Sequence, residues 1–92
     1  MDRSVVAASS NLVAAELGEE VVILNLKDAQ YFGLKEIGLR VWQLLQRPVT
    51  MGEIEAVVLE EYDVEPERCR EELSRLVSGL VERGLVEVKE SG

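Results

Sequence analysis

Ninety-two residues supply one hydrophobic core and leave no room for a binding domain beside a catalytic one. Ten basic against eighteen acidic side chains give a formal net charge of −8, which repels a phosphate backbone and an anionic membrane surface alike. Histidine is absent and Cys69 is the single cysteine, which excludes an internal disulfide, a His or Cys zinc cluster and every His-based acid/base or nucleophilic arrangement.

Residues 1 to 10 are short, small and polar apart from Val5 and Val6, and read as an N-terminal extension to a single domain over 11–92. MDRSVVAASSN has no apolar segment of signal-peptide length, and no later run reaches the roughly 18 apolar residues that span a bilayer. The expectation is a soluble cytoplasmic protein. From Leu12 to Leu17 and again from Val21 to Leu26 the pattern is strand-like, with Gly18-Glu19 as the turn of a hairpin. On the second strand, period 2 favours Val22, Leu24 and Leu26 as the core face, leaving Val21 and Ile23 as an apolar surplus. A turn at Lys27-Asp28 leads to a third strand, Ala29 to Leu34, which carries Tyr31 and Phe32.

Past Leu34 the apolar spacing changes to 3.6. Ile37, Val41, Leu44 and Leu45 share a stripe with Trp42 beside it, and the helix stops before Pro48. Gly38 is a weak point in it, or a place of close backbone approach. Thr50 and Glu53 form a capping box, with Val49 and Ile54 as a hydrophobic staple, and Ile54, Val57, Val58 and Tyr62 make the buried stripe of a second helix. The third begins near Glu65-Pro66 and runs through Cys69, Leu73, Leu76, Val77, Leu80 and Val81 to a Schellman cap at Gly84, with Leu85 to Val88 an extended tail. The fold class is α+β: a three-stranded antiparallel sheet followed by three helices.

The helix pair from Thr50 to Arg83 has the outline of a winged-helix DNA reader. Its third helix, however, carries Glu65, Glu67, Glu71, Glu72 and Glu82 against Arg68, Arg70, Arg75 and Arg83, so nucleic acid is a poor partner. Cys69 lies on an apolar stripe without a base, as a small buried hydrophobe does. The Glu60-Glu61 and Glu71-Glu72 pairs fall on solvated helix faces beside basic residues such as Arg68 and Arg75. No catalytic residue, metal site or cofactor is expected.

The third strand stands apart. Tyr31 and Phe32 point to opposite faces, and nothing later in the sequence supplies a strand for its far side. It has no Pro, its charges lie at its start in Lys27 and Asp28, and its later half is apolar or glycine, so its free edge is poorly protected against pairing with another chain. Two uses follow from the residues: capture of an extended peptide, or a homodimeric scaffold whose sheets join at this edge.

Tyr31-Phe32-Gly33-Leu34, the GLRVW of Gly38 to Trp42, Glu61-Tyr62-Asp63-Val64 and Gly84-Leu85-Val86 together resemble a PqqD-like RiPP recognition element, over about Asn11 to Val88. More narrowly they resemble the stand-alone recognition protein of lasso-peptide biosynthesis. Many relatives have Asn where this chain has Lys35; an Asn there would cap the first helix, so the departure leaves the exact start of that helix open and not the function. The resemblance implies a non-catalytic, winged-helix-like domain that binds the leader of a ribosomally made precursor as an added strand beside the third strand, with the third helix as the opposite wall. The backbone ladder would come from Ala29, Gln30, Tyr31, Phe32, Gly33 and Leu34, and the wall from Cys69, Glu72, Leu73 and Leu76. Lasso-type members pass the precursor to a separate leader peptidase, a cysteine protease, whereas the pyrroloquinoline-quinone type serves a radical enzyme. For peptidase docking, the surplus apolar residues Val5, Val6, Val21 and Ile23 are the candidates.

Overall fold

The hairpin and the strand after it pair as their alternation requires. In the computed structural model, which describes residues 4–90, β2 (Leu12–Leu17), β3 (Glu20–Asn25) and β4 (Gln30–Lys35) form an antiparallel sheet in the order β2-β3-β4. Gly18 takes the hairpin turn at φ 68, a conformation that costs glycine little. Three helices follow: α1 (Ile37–Leu44), α2 (Met51–Glu61) and α3 (Pro66–Glu82).

A second sheet accompanies the first. β1 (Ser4–Ala8) pairs antiparallel with β5 (Val49–Thr50) on one side and with β6 (Val86–Glu90) on the other. Val6 is buried at its centre, so residues 4–8, set apart above as an extension, carry part of the core; residues 1–3 and 91–92 lie outside the described residues. The extended tail after Gly84 is the partner strand β6.

The core face of β3 is the reverse of the expected one. Val21 and Ile23 are fully buried with Asn25, whereas Val22 and Leu24 are half-buried and Leu26 is exposed. The two alternating sets are almost equally apolar, so the choice is made by the helices, which pack Val41, Trp42, Leu45, Ile54, Val58, Leu73, Val77 and Leu80 against the Val21 side. Asn25 is tolerated there because it is satisfied: its Nδ2 donates to the carbonyl of Arg83 (3.3 Å) and its Oδ1 accepts from the N–H of Lys27 (3.0 Å). With Val6, Val21 and Ile23 all buried, the proposed apolar docking patch does not exist as a surface.

The helix ends follow their sequence signals. Thr50 Oγ1 accepts from the Glu53 N–H (3.1 Å) while Glu53 Oε1 accepts from the Thr50 N–H (3.2 Å), and Val49 and Ile54 are both buried. At the end of α3, Leu85 N–H donates to Leu80 O (2.9 Å) and Gly84 N–H to Val81 O (3.0 Å), the bond pair of a Schellman cap, with Gly84 at φ 76. α1 begins differently, on Glu36 at φ 54 with no side-chain cap; the capping position is Glu36, one residue past Lys35, so an Asn at 35 would precede it. At Gly38 the close neighbour is a side chain rather than a backbone: an added Cβ would lie 3.4 Å from Leu34 Cδ2.

Candidate functional site

Among the described residues β4 pairs with β3 alone, in the register Val21 with Leu34, Ile23 with Phe32 and Asn25 with Gln30. Its other edge is open. Phe32 and Leu34 are half-buried on the side shared with Val21 and Ile23, whereas Tyr31, 72% exposed, projects from the outer face in line with Leu24 and Val13.

That open edge faces α3 across a groove of about 470 Å³. One wall is Tyr31, Phe32, Gly33 and Leu34; the other is Arg75, Leu76, Gly79, Leu80 and Arg83. The Arg83 guanidinium stands over the Phe32 ring at 5.1 Å from its centroid and joins the walls at one end. Beyond Arg83 lies a polar hollow of about 480 Å³ that Asn25, Lys27, Asp28 and Gln30 help to line. A groove with an unpaired strand edge on one side and a mixed apolar and cationic helix face on the other suits an extended peptide: backbone bonds to the edge, side chains toward the helix.

The expected site residues divide between groove and core. Tyr31 to Leu34 and Leu76 line the groove, and Gln30 lies where it opens into the polar hollow. Ala29 belongs to the preceding turn: it sits at φ 56, and its N–H donates to Asn25 O at 2.7 Å, so that donor is used within the turn. Cys69 and Leu73 are buried on the stripe of α3 that faces the core. Burial, with Glu55 and Glu72 adding to it, pushes the Cys69 thiol above its ordinary value, which suits a packing role. Glu72 is exposed, outside the groove, and accepts from Arg68 Nε (3.1 Å). Arg75, Gly79, Leu80 and Arg83 are the wall residues that the sequence reading passed over. The apolar stripe was followed, whereas the groove uses its flank, and the i, i+4, i+8 spacing of Arg75, Gly79 and Arg83 is the signal that marks it.

Among the described residues no group of His, Cys, Asp and Glu could hold a metal ion, and no helix is long and apolar enough to cross a membrane.

The profile of the family described as Coenzyme PQQ synthesis protein D (PqqD) matches residues 20–86. The chain belongs to the PqqD family. Among solved structures it is similar to TbiB1 in complex with the TbiA(beta) leader peptide, at 32% identity and a TM-score of 0.83, over 88% of this chain and 94% of that one. It also shares its fold with a lasso peptide synthetase B1 complexed with the leader peptide, at 20% identity and a TM-score of 0.79, over 89% of this chain and 96% of that one. No curated protein sequence matches it.

Proposed function

We propose that this chain is a non-catalytic leader-binding module that takes up the leader of a ribosomally made lasso precursor as an additional strand along β4 and delivers it to a separate leader peptidase. The observation that carries this reading is the open edge of β4 set against α3 across a groove of about 470 Å³. The resemblance to TbiB1, solved with a leader peptide, supports the same occupant. A leader that is disordered when free loses entropy on binding, so the affinity belongs in the micromolar to high nanomolar range rather than the picomolar.

The test is titration of a fluorescent synthetic leader, taken from the precursor encoded beside this chain. Saturable one-to-one binding is expected, together with loss of binding when the leader's backbone amides are N-methylated at the alternate positions that face β4. A leader that fails to saturate the protein sinks the proposal. Delivery has its own readout: the chain should accelerate precursor cleavage by the separately made cysteine peptidase.

The family description favours a second reading, a peptide chaperone for a radical enzyme of the pyrroloquinoline-quinone type. Co-purification with such an enzyme, and no effect on a peptidase, would select it.

A further inference from the structure

Gly79 is out of place in a helix. It lies inside the seventeen-residue α3, where glycine loses more conformational freedom on folding than any other residue, and nothing in the fold requires it. Its φ is not positive, and a Cβ built on it would meet no atom within 4 Å. No neighbouring element has claimed the space.

Gly79 borders both the groove and a second, open hollow that Arg75, Ser78 and Glu82 help to line. It lines the groove between Leu76 and Leu80, with Arg75 four residues before and Arg83 four residues after. α3 and its cap carry four arginines: Arg68 pairs with Glu72 and Arg70 with Glu55, while among the described residues Arg75 and Arg83 have no acidic partner. In a chain of net charge −8, two arginines without carboxylates flank one bare backbone position.

We infer that Gly79 determines specificity: it leaves open a seat for one large apolar side chain of the bound peptide, and Arg75 and Arg83 favour acidic residues two positions to either side. The spacing agrees. Eight helical residues rise about 12 Å, and four residues of an extended strand advance about 13 Å, so side chains i−2, i and i+2 on one face of a strand meet Arg75, Gly79 and Arg83. Leu76 and Leu80 supply the apolar surround for the central residue. This inference rests on the leader-binding reading above and assigns part of its sequence preference.

The experiment uses the full chain and the fluorescent synthetic leader of the neighbouring precursor. Gly79→Leu fills the seat with the protein's own side chain and is expected to weaken binding by about tenfold or more, with Gly79→Ala intermediate. Thermal unfolding of both variants should show no loss of stability, since the added atoms meet nothing. Replacing the leader's seated apolar residue by Ala should weaken binding to the original chain but change little on Gly79→Leu, because the seat is already filled. Arg75→Glu should weaken binding, and a leader with Lys in place of its acidic residue should restore it. Wild-type binding with an unchanged Gly79→Leu affinity overturns the seat and leaves the leader-binding reading standing. A leader that binds without an acidic residue two positions from its apolar anchor overturns the role of the arginines. No binding to the wild-type chain overturns both readings.

Discussion

The guanidinium of Arg83 lies 5.1 Å from the centre of the Phe32 ring, tying the last turn of α3 to the open strand β4. The contact is partly exposed and is worth about 0.5–1 kcal/mol. Arg83→Ala is therefore expected to lower the urea-unfolding free energy by that amount. Arg83→Lys, which keeps the charge but not the flat guanidinium, should recover part of it. A silent Arg83→Ala in the unfolding curve would show that the walls are held by the core alone.

Among the described residues two other than glycine have positive φ, Ala29 at 56 and Glu36 at 54. Each holds a side chain in a region that costs roughly 1–2 kcal/mol for L-residues, and the extra chain entropy of glycine returns part of that. Ala29→Gly and Glu36→Asn are expected to raise stability by about 0.5–1 kcal/mol each, measured as a higher denaturant midpoint at unchanged slope. Lying at opposite ends of the extended strand β4, the two should add.

The capping box at α2 gives the opposite sign. Thr50→Ala removes the acceptor for the Glu53 N–H and should cost about 1 kcal/mol, whereas Thr50→Ser should cost little. Thermal unfolding of the three proteins orders them directly.

Arg40 Nε donates to Glu61 Oε1 at 2.8 Å and its Nη2 to Oε2 at 3.0 Å, linking α1 to α2. The hydrogen bonds from Arg40 hold the Glu61 carboxyl below the usual carboxylate value. A depressed carboxylate pKa stabilises the fold above the unfolded-state value and ceases to do so as pH falls through the folded one. Arg40→Ala should thus lower the denaturant midpoint slightly at neutral pH, and the difference from the original chain should vanish in acid below the Glu61 titration. An effect that persists in acid would point to lost packing of the Arg40 stem instead.

Cys69 is buried with its thiol pushed up. In the folded protein near neutral pH it should resist iodoacetamide and disulfide reagents, and react once denaturant unfolds the chain. Cys69→Ala should leave peptide binding unchanged while costing stability through the space it vacates.

What the sequence discloses here is local chemistry, and what it hides is pairing at a distance. Thr50 with Glu53, Pro66 at the start of α3 and Gly84 at its end each work within one turn of helix, so the residues alone located them. The inner face of β3 was different. Val21-Ile23 and Val22-Leu24 are near-equivalents, and only the docking of three helices decides between them; the buried Asn25 on the inner face holds a turn through Lys27 N–H and the carbonyl of Arg83 at the end of α3. The second sheet was hidden because β1 and β6 come from opposite ends of the chain and β5, between the helices, is only two residues long. In the groove, the strand wall was readable from an unprotected edge. On the helix side the groove is lined by Arg75, Gly79 and Arg83, about one residue around the helix from Cys69 and Leu73, which pack into the core.

The pairing of β1 with β6 has a mechanical consequence. Ser4 lies opposite Glu90, so the points at which the chain enters and leaves the fold sit side by side at one end of the pair. Tension applied through both termini would act across the strands, along their hydrogen bonds, and break them one after another like a zipper rather than shear them together. A chain pulled by its ends would therefore yield at low force, losing β1 and β6 before β2, β3 and β4 bear any load.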